Sequence, residues 1–206
     1  MQTNDQIVDM AHRSRDLVNG AMTMLIDVGH RWQTPKEALH TLRRVEDCDP
    51  GFIETPMWLD DVEGYRRVAT GSPIPVAIGE LFVTRNEFIE MMDHGQVDIV
   101  QPSVVRVGFT ESMRVAEAAA ARGRQVVPFG WVATTLGVVA NNHLAAALNN
   151  CPWTEYCHPE LYPQAELRHN LVGPEPQIVG AEFALPPGPG LGVEIDEEAL
   201  NHYRVA

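Results

Sequence analysis

The stretch FIETP at residues 52–56 decides the predicted fold, because an apolar run ends there in the carboxylate Glu54 and then a proline. Two other apolar runs also end in an acid, at Asp27 and at Glu80. The three acids follow one another at intervals of about 26 residues. This interval is close to the length of a strand, a helix and their two loops. The spacing therefore predicts a sheet of parallel strands with helices between them.

The three strand-end acids are also the first candidates for a functional site. In a parallel barrel every strand delivers its last residue to the same face, where active sites are built. Like charges that lie close together raise one another's pKa unless a positive charge sits among them. Carboxylate oxygens are the ligands that hard divalent cations prefer. The sequence therefore predicts that Asp27, Glu54 and Glu80 hold one Mg²⁺ ion.

The rest of the chain continues the alternation of strands and helices. Further strands are predicted at 97–101, 125–129 and 152–156, which gives about six in all. The predicted helix starts carry capping residues, and these are Asn4 or Asp5, Thr34, Asp60 or Asp61, and Thr84. The predicted fold class is α/β: a partial (β/α) TIM-type barrel of about six parallel strands with intervening helices.

The carboxyl-terminal part differs in composition, which predicts two regions. Residues 1–165 are assigned to the partial barrel and its metal site. Residues 166–206 form a tail rich in proline and glycine, a composition that excludes long helices. One short helix is predicted in this tail, from Asp196 to Tyr203.

Composition excludes several function classes. The net charge of −13 argues against nucleic acid or an anionic membrane surface as partner. No apolar stretch reaches the roughly 18 residues that span a bilayer, and the N-terminus has no signal-peptide character. Three cysteines without a C-x-x-C pair favour buried thiols in a reducing cytoplasm over a metal or redox site.

Four motifs give the sequence a family resemblance. LID at 25–27, FIETP at 52–56, IPVAIGE at 74–80 and VDIVQP at 97–102 resemble the enolase superfamily, in its mandelate racemase/muconate lactonizing branch. That branch includes many sugar-acid dehydratases. The resemblance implies that the three acids bind Mg²⁺, which holds a substrate carboxylate while a base removes the adjacent α-proton. It also implies that Glu155 is an electrophilic or hydrogen-bonding acid.

The usual bases of the family are replaced in this sequence. Ser103 stands where the resemblance implies the aspartate of a His–Asp dyad or a lysine, and Phe129 stands where it implies the dyad histidine. The family's other lysine bases belong to a strand earlier than those found here. His30 and His158 lie three residues after Asp27 and Glu155. They are therefore the candidate replacement bases on the same face.

The sequence is compatible with two functions. The first is a Mg²⁺-dependent lyase (a dehydratase) or epimerase that takes the α-proton from a hydroxy-carboxylate such as a sugar acid. The second is a catalytically impaired, metal-binding remnant or partial-barrel subunit that lacks the general base. A complete barrel averages about 250 residues, so the first barrel strands and the family's N-terminal capping domain are expected to be missing. Open sheet edges invite pairing, which predicts a homo-oligomer or a complementing chain.

Overall fold

A parallel sheet forms the centre of this computed structural model, which describes residues 3–131, 134–158, 170–173 and 178–204. Five strands lie side by side in the order in which they occur in the chain. They are β1 (Met24–Asp27), β2 (Pro50–Glu54), β3 (Val76–Ile78), β4 (Ile99–Val100) and β5 (Gln125–Val126). The central strands are buried, as expected when helices cover both faces of a sheet. The predicted α/β class with a parallel sheet is confirmed.

Helices connect the strands and begin where polar capping residues predict. They are α1 (Asn4–Val18), α2 (Pro35–Leu42), α3 (Val62–Gly71), α4 (Arg85–Asp93), α5 (Val104–Ala120) and α6 (Thr135–Ala146). Thr34 caps α2 by accepting a hydrogen bond from the Glu37 amide, and Asp61 caps α3 in the same way through the Gly64 amide. Both caps satisfy amides that have no partner inside the helix. These two helix starts are confirmed.

The cap of α1 differs from the prediction, since Thr3 takes the role assigned to Asn4 or Asp5. The Thr3 hydroxyl accepts from the Gln6 amide while the Gln6 side chain accepts from the Thr3 amide, which is a capping box. Asn4 instead accepts a hydrogen bond from the Trp32 indole. Asp5 forms an ion pair with Arg44. The two residues expected to cap α1 therefore bind partners elsewhere in the fold instead.

One further element prediction was wrong. The predicted strand at 152–156 is absent, and residues 151–158 form no regular secondary structure. Pro152 has no amide hydrogen for a ladder, and the Trp153 carbonyl accepts from the Cys151 thiol instead. Helix α5 is kinked at Gly108, whose φ of 75° is not helical and separates the segment that begins at Val104 from the segment that ends at Ala120.

The chain divides into two compact units. The first comprises Met1–Gly79, Asn86–Val100 and Ala118–Gln125, and its core contains the fully buried Trp32, Tyr65 and Phe88. The second comprises Glu80–Arg85, Gln101–Glu117 and Val126–Ala206. Its core includes several buried aliphatic side chains, which are Val115, Val127, Val138, Val139 and Leu144. The division into residues 1–165 and 166–206 stays a prediction.

The described part of the tail is turn-rich, as its composition predicts. Two short antiparallel pairs occur, between β6 (Val172–Gly173) and β9 (Glu194–Ile195) and between β7 (Ile178–Val179) and β8 (Glu182–Phe183). Asp196 caps the short helix α7 (Glu197–His202), which agrees with the predicted helix. Within the described residues, no helix is both long enough and apolar enough to span a membrane.

Candidate functional site

Two of the predicted metal ligands end neighbouring strands. Asp27 is the last residue of β1 and Glu54 the last of β2, and the parallel register pairs them directly. Glu54 is buried, with 8% of its surface exposed, whereas Asp27 is exposed and accepts a hydrogen bond from the Gly29 amide at 2.8 Å. Because the two parallel strands end at the same edge of the sheet, these two carboxylates take adjacent positions on that edge.

The third predicted ligand follows the next strand. Glu80 lies two residues beyond the end of β3, after Gly79. Its side chain is 9% exposed, and β3 runs parallel to β2. Burying a carboxylate is costly unless it is hydrogen-bonded or coordinated. Glu80 stands, as predicted, just beyond the end of a buried parallel strand.

The loops that follow β1 and β2 run side by side beyond the sheet. The amides of Val28, His30 and Trp32 donate in turn to the carbonyls of Glu54, Thr55 and Pro56, at 3.3, 2.8 and 2.9 Å. This ladder continues the parallel pairing past the two carboxylates. It fixes the main chain on either side of them, and so limits how far either acid can move.

The first residue after Glu54 has a strained conformation. Thr55 is fully buried and has a φ of 41°, which is rare for a β-branched residue. Strain of this kind persists only where the surrounding structure enforces it, and it concentrates at functional sites. His30 also has a positive φ, of 58°. Both loops therefore hold unfavourable backbone geometry next to the acids.

His30, a candidate base, lies in this paired region. Its ring stacks on the indole of Trp58, with ring centroids 5.1 Å apart and planes 12° from parallel. Asp27 and His30 also line a groove of 480 Å³ between α1 and β1. The structure therefore places His30 on the same edge as Asp27 and Glu54, in a ring orientation that stacking restricts.

Glu155 belongs to a separate cluster in the second unit. One of its carboxylate oxygens, Oε2, accepts a hydrogen bond from the Gly130 amide at 2.7 Å. A Cβ added to Gly130 would lie 2.1 Å from the Glu155 carbonyl oxygen, so only glycine permits this close approach. The contact fixes the Glu155 carboxylate. His158, the other candidate base, is exposed three residues later.

Sequence reasoning missed Asn141, which is fully buried on α6. Its side-chain oxygen accepts from the Val104 amide at 2.8 Å. Its side-chain nitrogen lies 2.7 Å from the Phe129 carbonyl and 3.4 Å from the Ser103 hydroxyl. The signal in the sequence was an amide pair, Asn141-Asn142, inside an otherwise apolar helix. One buried amide thus joins Ser103 and Phe129, the two positions where the family resemblance predicts that the usual bases are replaced.

Phe129 and Arg106 also contact each other in this cluster. The Arg106 guanidinium carbon lies 5.9 Å from the centre of the Phe129 ring, within range of a cation–π interaction. Arg106 lies on α5, in the segment before Gly108.

All three cysteines are free thiols. Cys48 and Cys157 are buried, and Cys151 is half-buried. Burial raises the pKa of the Cys151 thiol to about 11, which keeps it protonated at neutral pH. Burial also raises the pKa of Cys48. The expectation of buried thiols is confirmed for two of the three.

Comparison with known proteins decides the family. A family model described as "Enolase C-terminal domain-like" matches residues 3–199. The chain belongs to this family. D-galactarolactone cycloisomerase of Agrobacterium fabrum is 31% identical over 197 residues, which cover 93% of this chain and 51% of that enzyme. D-galactonate dehydratase of Variovorax paradoxus is 33% identical, with 95% and 52% covered.

A solved structure shows the same enolase C-terminal domain-like fold. The mandelate racemase/muconate lactonizing enzyme from Jannaschia sp. CCS1 superposes with a TM-score of 0.87 at 27% identity. The match covers 98% of this chain and 50% of that enzyme. The chain therefore spans about half the length of the enolase-family relatives that it matches.

Proposed function

We propose that this chain is the metal- and carboxylate-binding part of an enolase-family lyase (a dehydratase) or epimerase. The observation that carries the proposal is the register of β1 with β2, which pairs Asp27 with the buried Glu54 at the carboxyl ends of parallel strands. Glu80, buried after β3, is proposed as the third ligand. The reaction class is removal of the proton next to the carboxylate of a hydroxy-acid.

The donor set fits Mg²⁺. All three proposed ligands are carboxylates, and hard cations with a strong preference for oxygen bind such sets. Bound Mg²⁺ would supply positive charge for the substrate carboxylate and for the charge that develops as the proton leaves. The chain itself has a net charge of −13. An anionic substrate therefore needs such a local cation in order to bind.

Sugar acids are the proposed substrate class. The two curated relatives named above are a sugar-lactone cycloisomerase and a sugar-acid dehydratase, and this supports a polyhydroxy-carboxylate for this chain. Glu155 is proposed to hydrogen-bond a substrate oxygen, since the Gly130 amide orients its carboxylate. Hydroxyl groups of a sugar acid are suitable partners for a fixed carboxylate of this kind.

His30 supports a second candidate, in which the chain itself is a complete catalyst. Its stacking on Trp58 fixes the ring near Asp27 and Glu54, and an imidazole is the commonest general base in enzymes. His158 has the equivalent sequence position after Glu155. If the chain is a complete catalyst, one of the two histidines replaces the base that Ser103 and Phe129 do not provide.

Magnesium is expected to stabilise the fold through Glu54. At 100 times the dissociation constant, a ligand that binds only the folded state adds about 2.7 kcal/mol. For a protein of this size that is a rise in Tm of about 5 to 10 °C. Glu54→Gln removes one ligand charge and is expected to abolish the rise, which thermal denaturation with and without MgCl₂ measures.

The matched control for Glu54→Gln is Glu117→Gln, the same change at an exposed position on α5. This control is expected to keep the full magnesium-dependent rise. An unchanged wild-type melting curve in saturating Mg²⁺ would show that the three carboxylates do not form a preorganised site.

A second copy of this chain is the proposed partner. Large apolar side chains are exposed on α1 and on or just before β1, namely Met10, Leu17, Met22 and Leu25, and Met10 and Leu25 line the groove. Exposed apolar surface can mark an interaction site.

Light scattering is therefore expected to give a mass that is a multiple of 22.8 kDa. Leu17→Glu places a charge on the apolar surface and is expected to shift the population towards monomer, because burying an unpaired charge is costly. Val105→Glu, at an exposed position on α5, serves as the control and leaves the mass unchanged. A stable wild-type monomer contradicts the proposed self-association.

A further inference from the structure

A group of potential metal ligands lies away from the strand-end acids, at the amino end of β2. His12 of α1 and the adjacent pair Asp47 and Cys48 each present one ligand atom within 4.8 Å of the other two. Cys48 Sγ is 3.3 Å from His12 Nδ1. Asp47 Oδ1 is 3.7 Å from His12 Nε2. The sequence favoured buried thiols over a metal site here, because the cysteine has no C-x-x-C neighbour.

The hydrogen bonds of His12 leave the lone pair of one ring nitrogen, Nδ1, available to coordinate a metal ion. Nε2 lies 3.1 Å from the Arg44 carbonyl oxygen, and a carbonyl can only accept, so this bond requires the proton on Nε2. The lone pair is then on Nδ1, which faces the sulfur of Cys48. Metal-binding histidines characteristically donate their other ring N–H to a carbonyl or carboxylate in this manner.

The main chain that carries Asp47 and Cys48 is held in place independently. The two residues end a 3₁₀ turn, Glu46–Cys48, followed by Asp49 in the left-handed conformation. Arg15, one helical turn beyond His12, donates to the carbonyls of Cys48 at 2.6 Å and Asp49 at 2.9 Å. The histidine and the cysteine are therefore positioned by contacts that exist without an ion.

Burial and exposure complete the arrangement. Cys48 is buried, with 1% of its surface exposed. The Asp47 side chain is 76% exposed and is free to rotate towards an ion at the surface. An ion at this position would contact protein on one side and solvent on the other, which leaves one coordination position for water.

We propose that His12 Nδ1, Cys48 Sγ and an Asp47 oxygen form a binding site for Zn²⁺ or a similar borderline-soft divalent cation. Imidazole and thiolate are the ligands that Zn²⁺ prefers, with a carboxylate as a common third. On binding, the Cys48 thiol releases its proton to solvent and the sulfur coordinates as thiolate. Mg²⁺ does not compete, because it binds oxygen ligands.

The proposed site is independent of the strand-end acids. Cys48 lies two residues before β2 begins at Pro50, whereas Glu54 is the last residue of that strand. The two sites are thus at opposite ends of β2. Their donor sets also select different ions, so each site can be tested while the other is saturated or removed.

Cobalt provides a direct test, since a Co²⁺–thiolate bond gives a charge-transfer absorption in the near ultraviolet that oxygen ligands do not. The chain is titrated with CoCl₂ in excess MgCl₂ under reducing conditions. The band is expected to appear with one equivalent of Co²⁺ and to disappear when Zn²⁺ is added. The variant Glu54→Gln is expected to retain it, which separates this result from the proposed magnesium function.

Variants assign the band to the three residues. Cys48→Ser and His12→Asn are expected to lose it, and Asp47→Asn to keep it with weaker cobalt affinity. Cys151→Ala is the matched thiol control and retains the band. His12 is only half-buried, so His12→Asn tests the site even where Cys48→Ser perturbs folding. Absence of the band in the wild type, or its persistence in both His12→Asn and Cys48→Ser, overturns the proposal.

Discussion

In D₂O with Mg²⁺, the α-protons of aldonates and aldarates are expected to remain unexchanged in the presence of this chain. Removing such a proton requires positive charge near the carboxylate and a base near the carbon. A positioned general base typically contributes about 10²- to 10⁴-fold. Ser103 and Phe129 stand where the family resemblance implies the dyad, and neither residue supplies that factor. Proton NMR of a sugar-acid panel, recorded over time, measures the exchange.

The structure gives a physical basis for this expectation. Ser103 is 1% exposed and its hydroxyl lies beside the Asn141 amide, with a pKa far too high for it to act as a base at neutral pH. The Phe129 ring carries no titratable group and is in contact with the Arg106 guanidinium. Neither side chain can accept the proton.

Metal-dependent loss of a single α-proton signal would contradict this prediction and favour the second candidate function. The base is then identified by two variants, His30→Asn and His158→Asn, each of which removes one imidazole. Glu54→Gln is the control for metal dependence. If the exchange survives both histidine changes, neither candidate base is responsible.

Asn141→Ala is expected to cause a large loss of stability. The change leaves the Val104 amide and the Phe129 carbonyl without the partner that each has in the structure. A buried polar group without a partner costs about 1 to 3 kcal/mol, so the free energy of unfolding should fall by about 2 to 4 kcal/mol. Because typical domains are stable by only about 5 to 15 kcal/mol, chemical denaturation should detect this loss readily.

The neighbouring residue provides the matched control. Asn142 is also buried, and among the described residues its side chain donates to one group, the Val138 carbonyl of the same helix, so Asn142→Ala should cost about 1 kcal/mol. Asn141→Asp keeps an oxygen for the Val104 amide and should fall between the two alanine variants. If both alanine variants lose the same free energy of unfolding, the bonds to Ser103, Val104 and Phe129 contribute no more to stability than the single bond of Asn142.

The sequence was sufficient for the features that depend on local chemistry. Apolar runs ending in Asp27, Glu54 and Glu80 predicted the first three strands, because a buried parallel strand is apolar until its end reaches the edge of the sheet. Thr34 and Asp61 predicted helix starts, since a cap depends only on the next three residues. The position of Asp27 and Glu54 at the same edge of the sheet followed from strand direction alone.

The remaining features depend on partners that are distant in sequence. Asn141 was missed because its three partners lie between 12 and 38 residues away in the sequence. The spacing of apolar residues along a helix does not indicate contacts over such a distance. The cluster at Cys48 depends likewise on a histidine 36 residues earlier.

The order of the sheet has a consequence for how this protein folds. Because β1 to β5 lie in chain order, each strand pairs with the one synthesised just before it. Closing a loop costs more entropy as the loop lengthens, and folding slows as contacting residues become more distant in sequence. The sheet can therefore grow on the ribosome one strand at a time, with a pairing edge already available as each new strand emerges.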